Sequence, residues 1–257
     1  MRPPVLAFTL TLASVVGYVR RVRPWVLTWG ASRDEASARL PGDELLEDAD
    51  GIATRAVTID APAGAVWPWI AQMGPAPRGG AYTYDWIENL LGLDMHSADV
   101  LLPEFQHPRV GEVFALGANR MRVERVEPGR VLSWRSQDGN WVWSFVLREQ
   151  DGRTRLISRN RYRLPTPVAR IGMLPMEPAS LVMERKMLHG IRERAQRLAR
   201  EAPEGAPRLR AVPRPQADED VSGPPAGSRP ARTSAARPRI TGPRPTPTPG
   251  LGPSGRR

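Results

Sequence analysis

The stretch that most constrains the fold is Thr154 to Leu164, where residue type alternates most cleanly. Arg155, Arg159, Arg161 and Arg163 fall on one side, and Leu156, Ser158, Asn160, Tyr162 and Leu164 on the other. A strict period of two marks a β-strand whose faces meet different surroundings, and it pins the register of its partners. The arginine face is expected to meet water. Upstream, Glu112 to Leu116, Asn119 to Glu127, Val131 to Ser136 and Trp141 to Arg148 also read as strands. Pro128-Gly129, Asp138-Gly139 and Asp151-Gly152 punctuate them. Asp-Gly between alternating segments is a strong hairpin signal, so this region reads as an antiparallel meander.

Ile52 to Asp60 reads as an earlier strand, with Val57 and Ile59 on one face. After Ala61-Pro62, a helix is expected over Ala63 to Met73, with Val66, Trp67, Ile70 and Met73 at helical spacing and Pro68 as a kink or early break. A second short helix, Tyr84 to Leu91, carries the apolar stripe Tyr84, Ile87, Leu90 and Leu91. Pro165 and Pro167 end the sheet, and Ile171 to Pro178 reads as a short apolar connection. From Ala179, Leu181, Leu188, Ile191, Ala195 and Leu198 form one stripe, opposite Glu184, Arg185, Arg192, Glu193 and Arg200. A long amphipathic helix must bury its stripe, and the one large surface available is the inner face of the sheet. Residues 51–200 are therefore expected to form an α+β domain, with a curved antiparallel sheet wrapped around a long C-terminal helix.

The net charge of +10 invites a nucleic-acid reading. Its location argues against one. Arg2, Arg20, Arg21 and Arg23 lie at the N-terminal end, and ten Arg against four acidic residues follow Glu201. Pro24 to Glu201 holds 23 basic and 23 acidic residues, so the domain has no net basic excess for tracking phosphates. The chain has no Cys, which excludes disulfides, thiolate metal sites and a Cys nucleophile. No Gly-rich phosphate loop or Ser-nucleophile motif is present.

At the N-terminal end, Pro3 to Val19 is apolar apart from hydroxyls and is followed by Arg20-Arg21-Val22-Arg23. This is a marginal length for a membrane span. Residues 1–23 are expected to be a membrane-anchoring helix, and the positive-inside rule places the following domain in the cytoplasm. A cleaved signal leading to secretion is the second reading, and a helix packed on the domain the third. Residues 24–50 read as a connecting arm that is either solvated or laid over the domain by Leu40, Leu45 and Leu46. Residues 201–257, rich in Pro and Arg, read as a disordered tail.

The element order, with Val57-Thr58-Ile59-Asp60-Ala61-Pro62 and Val66-Trp67-Pro68-Trp69, resembles the START/Bet v 1-like (SRPBCC) superfamily of helix-grip proteins. Arg78 to Trp86, His96-Ser97-Ala98-Asp99 and Met183 to Leu188 are similar to its bacterial polyketide cyclase/dehydrase-like branch. The resemblance spans about Trp25 to Arg200. It implies a cavity between sheet and helix for an apolar molecule such as a lipid, sterol or polyketide. It does not imply an enzyme, because fold alone does not set function.

Mostly apolar pockets orient their contents with a few placed polar groups. Ser158, Asn160 and Tyr162, turned toward the long helix, are candidates for that role. Trp134, Trp141, Trp143, Phe145, Tyr84, Met183 and Met187 are candidates for the apolar lining. Among the titratable loop residues Asp85, Glu88, Asp94, His96, Asp99, Glu104 and His107, a His-carboxylate pair is the second reading, with His96 and Asp85 or Asp99 as acid and base of a cyclase or dehydratase. Structural hydrogen bonding is the commoner role for such groups. No familiar metal-ligand spacing appears, and neither a metal nor another cofactor is expected. A third reading makes the basic tail a membrane-surface contact.

Overall fold

The structure, a computed structural model, describes residues 17–117 and 119–201. Six strands, β1 (Gly51–Ile59), β2 (Val113–Leu116), β3 (Asn119–Glu127), β4 (Val131–Ser136), β5 (Trp141–Gln150) and β6 (Arg153–Tyr162), form one antiparallel sheet in the order β1-β6-β5-β4-β3-β2. The first strand thus pairs with the last. The register of the β5–β6 hairpin follows from its turn. Gln150 faces Arg153 across Asp151-Gly152, whose φ angles are 52° and 74°. Two consecutive left-handed residues give a turn that matches the twist of the flanking strands.

Two short helices precede the sheet, α1 (Arg23–Leu27) and α2 (Arg33–Ser37). Two more, α3 (Ala63–Ala71) and α4 (Asp85–Leu90), carry the chain from β1 to the far edge. The long α5 (Pro167–Glu201) closes the domain against the concave face. Val57, Ile59, Met121, Trp134, Phe145 and Leu156 from the sheet bury against Ile70 of α3 and against Met187, Leu188 and Ile191 of α5. Gly190 permits a close approach there, because a Cβ on it would lie 2.7 Å from the Tyr82 carbonyl oxygen.

The structure departs from the sequence expectations in several places. The long helix begins at Pro167, about one dozen residues earlier than Ala179, and runs through Pro175 and Pro178. Proline removes an N–H from the helix ladder. Pro178 leaves the Leu174 carbonyl without its helical donor, and the Tyr18 hydroxyl donates to that oxygen at 3.4 Å.

The arginine face of β6 is largely covered, with Arg159 and Arg161 buried and Arg155 and Arg163 half-buried. Residues 30–50 lie across it. Arg159, only 2% exposed, donates to Asp43 at 2.6 Å and to the carbonyls of Glu35, Ala36 and Ala38 at 2.7, 3.1 and 2.8 Å. Arg161 donates to the Leu46 and Glu47 carbonyls, and Arg155 to Glu35 and the Gly30 carbonyl. Arg163 pairs with Asp48. Leu40 packs with Ala56, Val146 and Ile157 in a second small core on this convex side. A Ser32–Glu35 capping box starts α2 within the arm.

The membrane-anchor expectation is corrected. Among the described residues, no helix is long and apolar enough to cross a membrane. Where the chain becomes described, a π-helical turn (Tyr18–Val22) runs into α1, and this segment packs on the domain. Arg23 donates two bonds of 2.7 Å to Glu177 of α5. The cytoplasmic placement and the membrane partnership rested on the anchor and fall with it. Residues 1–16 of the expected anchor, and the expected disordered tail from Ala202 onward, lie outside the described residues.

Candidate functional site

Ser158, Asn160 and Tyr162 do face α5, as their parity requires, and each has a side-chain partner. Ser158 accepts the Trp143 indole N–H at 2.9 Å, and Asn160 accepts that of Trp141 at 2.9 Å. Asn160 donates to Glu184 at 3.3 Å, and the Tyr162 hydroxyl donates to Glu177 at 3.0 Å. Burial, reinforced by the charge of Glu177, pushes the Tyr162 phenol up to about 12. The centre of the network is Arg55 on β1. It is buried, ion-paired with Glu184, and donates to Ser180 at 3.1 Å and to the Val26 carbonyl at 3.2 Å. A buried pair of this kind persists only when its remaining donors and acceptors are also met.

Arg55, Glu177 and Glu184 escaped the sequence reading. Arg55 had a usable signal, since it shares parity with the inward Val57 and Ile59. Glu184 had none, because a charged residue on a long helix ordinarily marks the solvated side.

The aromatic candidates form one connected row. Trp134 meets Phe114, Trp143 and Phe145 edge-on, with ring centroids 5.4, 5.5 and 5.5 Å apart. Trp141 stacks on Trp143 at 5.8 Å and 18°. Trp134 and Trp143 sit opposite each other in register, so Trp134 faces inward. Trp134, Phe145 and Met187 are core, whereas Trp141, Trp143 and Met183 are only half-buried. Phe114, at the far end, also lines a cleft of about 340 Å³ with Pro75, Pro77, Arg78 and Phe105.

The acid-base candidates are scattered among structural duties. Asp85 accepts from the Ser97 amide at 2.7 Å and from its hydroxyl at 2.6 Å, fixing the loop onto α4. Asp99 pairs with Arg194 at 2.8 Å. His96 lies 3.0 Å from Asp94, and both are exposed. His96 thus meets neither of the two carboxylates named with it.

Helix α4 turns most of its expected apolar stripe outward, with Ile87 half-buried, and Trp86 beside the stripe is exposed as well. Trp86, Leu90 and Leu91 are 69, 79 and 68% exposed, and Tyr84 is exposed too. The buried residue is Glu88, at 7%. Burial raises its carboxyl above the usual carboxylate range. Nearby Thr83 opposes that rise and the charge of Asp85 adds to it.

No protein-family model and no curated protein matches the chain. Solved structures similar to it include the polyketide-cyclase-like protein Cgl2372 of Corynebacterium glutamicum, 18% identical over 58% of this chain and 89% of that one, with a TM-score of 0.31. Protein CalU16 of Micromonospora echinospora is 18% identical over 58% and 86% of the two chains, with a TM-score of 0.28. Protein Ms6760 of Mycobacterium smegmatis is 15% identical over 55% and 88%, with a TM-score of 0.34. The neighbours include polyketide-cyclase-like proteins, the kind that the sequence words resemble. At these scores the likeness carries no argument about ligand or reaction, and the α+β helix-grip fold rests on the strand order and on the placement of α5.

Proposed function

We propose that the domain binds a flat, largely apolar small molecule at the half-open end of the grip, against Trp141 and Trp143. The observation that carries this reading is the stacked, half-buried indole pair. Both indole N–H groups are held by buried-face side chains, Asn160 and Ser158, so the rings are fixed in orientation before anything binds. Fixed aromatic surface binds at lower entropic cost than mobile side chains. Asn160 is the placed polar group beside that surface, and Met183 is an adaptable wall. No reaction is assigned.

The test uses 2-methoxynaphthalene and 2-naphthol as flat aromatic probes, titrated against intrinsic Trp fluorescence of the full chain. Saturable quenching by at least one probe is expected, weakened about tenfold or more by Trp141→Ala, since an aromatic contact with its buried area is worth more than 1.4 kcal/mol. Absence of saturable quenching by either probe in the wild type refutes the reading.

A further inference from the structure

The two edges of the sheet differ. At the β1 edge the Ala56 amide, turned away from β6, donates to the Trp29 carbonyl at 3.2 Å. At the other edge, β2, the direction of the backbone groups follows from two bonds further in. The Gln137 amide donates to the Arg120 carbonyl at 2.9 Å, so Arg120 turns its backbone toward the β4 side. The Val123 amide donates to the Glu112 carbonyl at 2.8 Å, so Val123 turns toward the β2 side. These directions alternate along a strand, and opposite residues of an antiparallel pair either bond each other or both turn away. Arg120 stands opposite Ala115, and Arg122 opposite Val113. Val113 and Ala115 therefore point their N–H and C=O groups outward, while Phe114 and Leu116 bond β3. Among the described residues, β2 has no backbone partner other than β3. Such an edge is a template for another strand, normally blunted by charge or proline. Val113-Phe114-Ala115-Leu116 carries neither.

The cleft of about 340 Å³ lies against this edge, since it touches Val113, Phe114 and Ala115. Successive side chains of a strand point to opposite faces. A cleft that reaches all three residues thus runs along the edge and not over one face. Pro75, Pro77 and Phe105 complete it. Arg78 holds the aromatic part in place. It donates to the Ala71 and Met73 carbonyls at 2.7 and 2.8 Å and to Glu112 at 2.7 Å. Its guanidinium lies over the rings of Phe105 and Phe114, 4.8 and 5.6 Å from their centroids.

We infer that this edge docks an extended peptide segment of another protein, which adds antiparallel to β2 and sets one bulky apolar side chain into the cleft. The two residues flanking that side chain exchange N–H and C=O bonds with Val113 and Ala115. The side chain itself stands opposite Phe114, in a non-bonded pair, where side chains come closest. Outward donors and acceptors in this order are matched by an extended chain, whose alternate side chains supply the specificity. A second copy of this protein fits less well. An edge of four residues, about 13 Å long, covers a small part of the roughly 800 Å² that each partner of a stable complex buries. The edge is separate from the indole pair, so failure of this inference leaves the proposed function standing.

The test titrates the full chain against the amidated heptapeptide Lys-Thr-Thr-Phe-Thr-Thr-Lys carrying an N-terminal fluorescein, followed by anisotropy. Binding that saturates below about 1 mM is expected. Replacing the peptide's Phe by Ala, or N-methylating the two Thr beside it, is expected to weaken binding about tenfold or more. In amide exchange the Phe114 N–H is expected to be protected in the free protein, and those of Val113 and Ala115 only with peptide. Ala115→Pro removes an outward N–H and no ladder bond, so it should abolish binding with Tm within about 4 °C of wild type. No saturable binding overturns the inference, as does equal binding of the Ala or the N-methylated peptide. A folded Ala115→Pro that binds as wild type does so too. Should Ala115→Pro fail to fold, the N-methylated peptide and the exchange pattern on the wild type decide. A wild-type dimer in sedimentation that Ala115→Pro makes monomeric gives the edge to a second copy and overturns the peptide reading.

Discussion

Replacing Arg159 by Met separates the two ways of regarding the charged face of β6. On a solvated face the change would fall within about 0.5 kcal/mol of neutral. In the folded protein Arg159 is 2% exposed and donates to Asp43, to three backbone carbonyls of the arm and to Thr54. Asp43 is itself buried, and removing one partner of a buried pair costs about 3–5 kcal/mol. Asp43 keeps the Leu40 amide at 2.9 Å and has Arg161 at 3.6 Å, so the lower end, about 3 kcal/mol, is expected. For a domain of this size that lowers Tm by about 6–12 °C. Urea unfolding followed by circular dichroism gives the global loss. Hydrogen exchange at the Leu40 and Ala56 amides, which bond Asp43 and the Trp29 carbonyl, reports whether the arm lifts first. A loss below about 0.5 kcal/mol with unchanged protection of those amides would refute the idea that the arm is held by this arginine.

Glu184→Ala leaves Arg55 charged and buried with only neutral acceptors, and is expected to cost about 3 kcal/mol by urea unfolding; the double variant Arg55→Met, Glu184→Leu should recover most of it, and strictly additive losses would exclude coupling. Glu35 offers a pH test. The hydrogen bond from Arg155 is the chief cause holding its carboxyl down from 4.5 to about 2. The folded pKa is depressed, so the stabilisation is complete above about pH 4.5 and is lost as pH falls toward about 2. The stability gap between wild type and Arg155→Met should therefore narrow over that window, and a gap constant from pH 7 to 2 would contradict the pairing. Gly190→Ala places a Cβ 2.7 Å from the Tyr82 carbonyl oxygen and 2.8 Å from the Tyr82 Cβ. It is expected to cost about 1–3 kcal/mol through displacement of the loop from α5, whereas a rise in Tm, as helix propensity alone would give, would show that the approach is not tight.

Much of the fold was legible because local chemistry carried it. The Asp-Gly turn and the strict alternation of β6 set the hairpin and its register, and the stripe on α5 demanded a concave partner. Legibility failed where a local pattern is compatible with more than one environment. Ile171 to Pro178, with Pro175 and Pro178, read as a connection, yet Tyr18, distant in sequence, supplies a donor to a carbonyl that Pro178 leaves bare. The exposed and buried faces of α4 could not be told apart by spacing, because six residues have a stripe whichever side is outward.

The sequence by itself determined the alternation of β6, and with it the inward turn of Ser158, Asn160 and Tyr162. A period of two is a property of the backbone and needs no neighbours. What each face meets was decided only by the tertiary structure. Alternation says that two faces differ, not that the charged one is wet. Guanidinium groups accept burial when enough oxygen atoms surround them, and the arm of residues 30–50, whose carbonyls have no sheet or long helix to satisfy them, provides those oxygens. The same rule, applied inside the grip, buries Arg55 with Glu184.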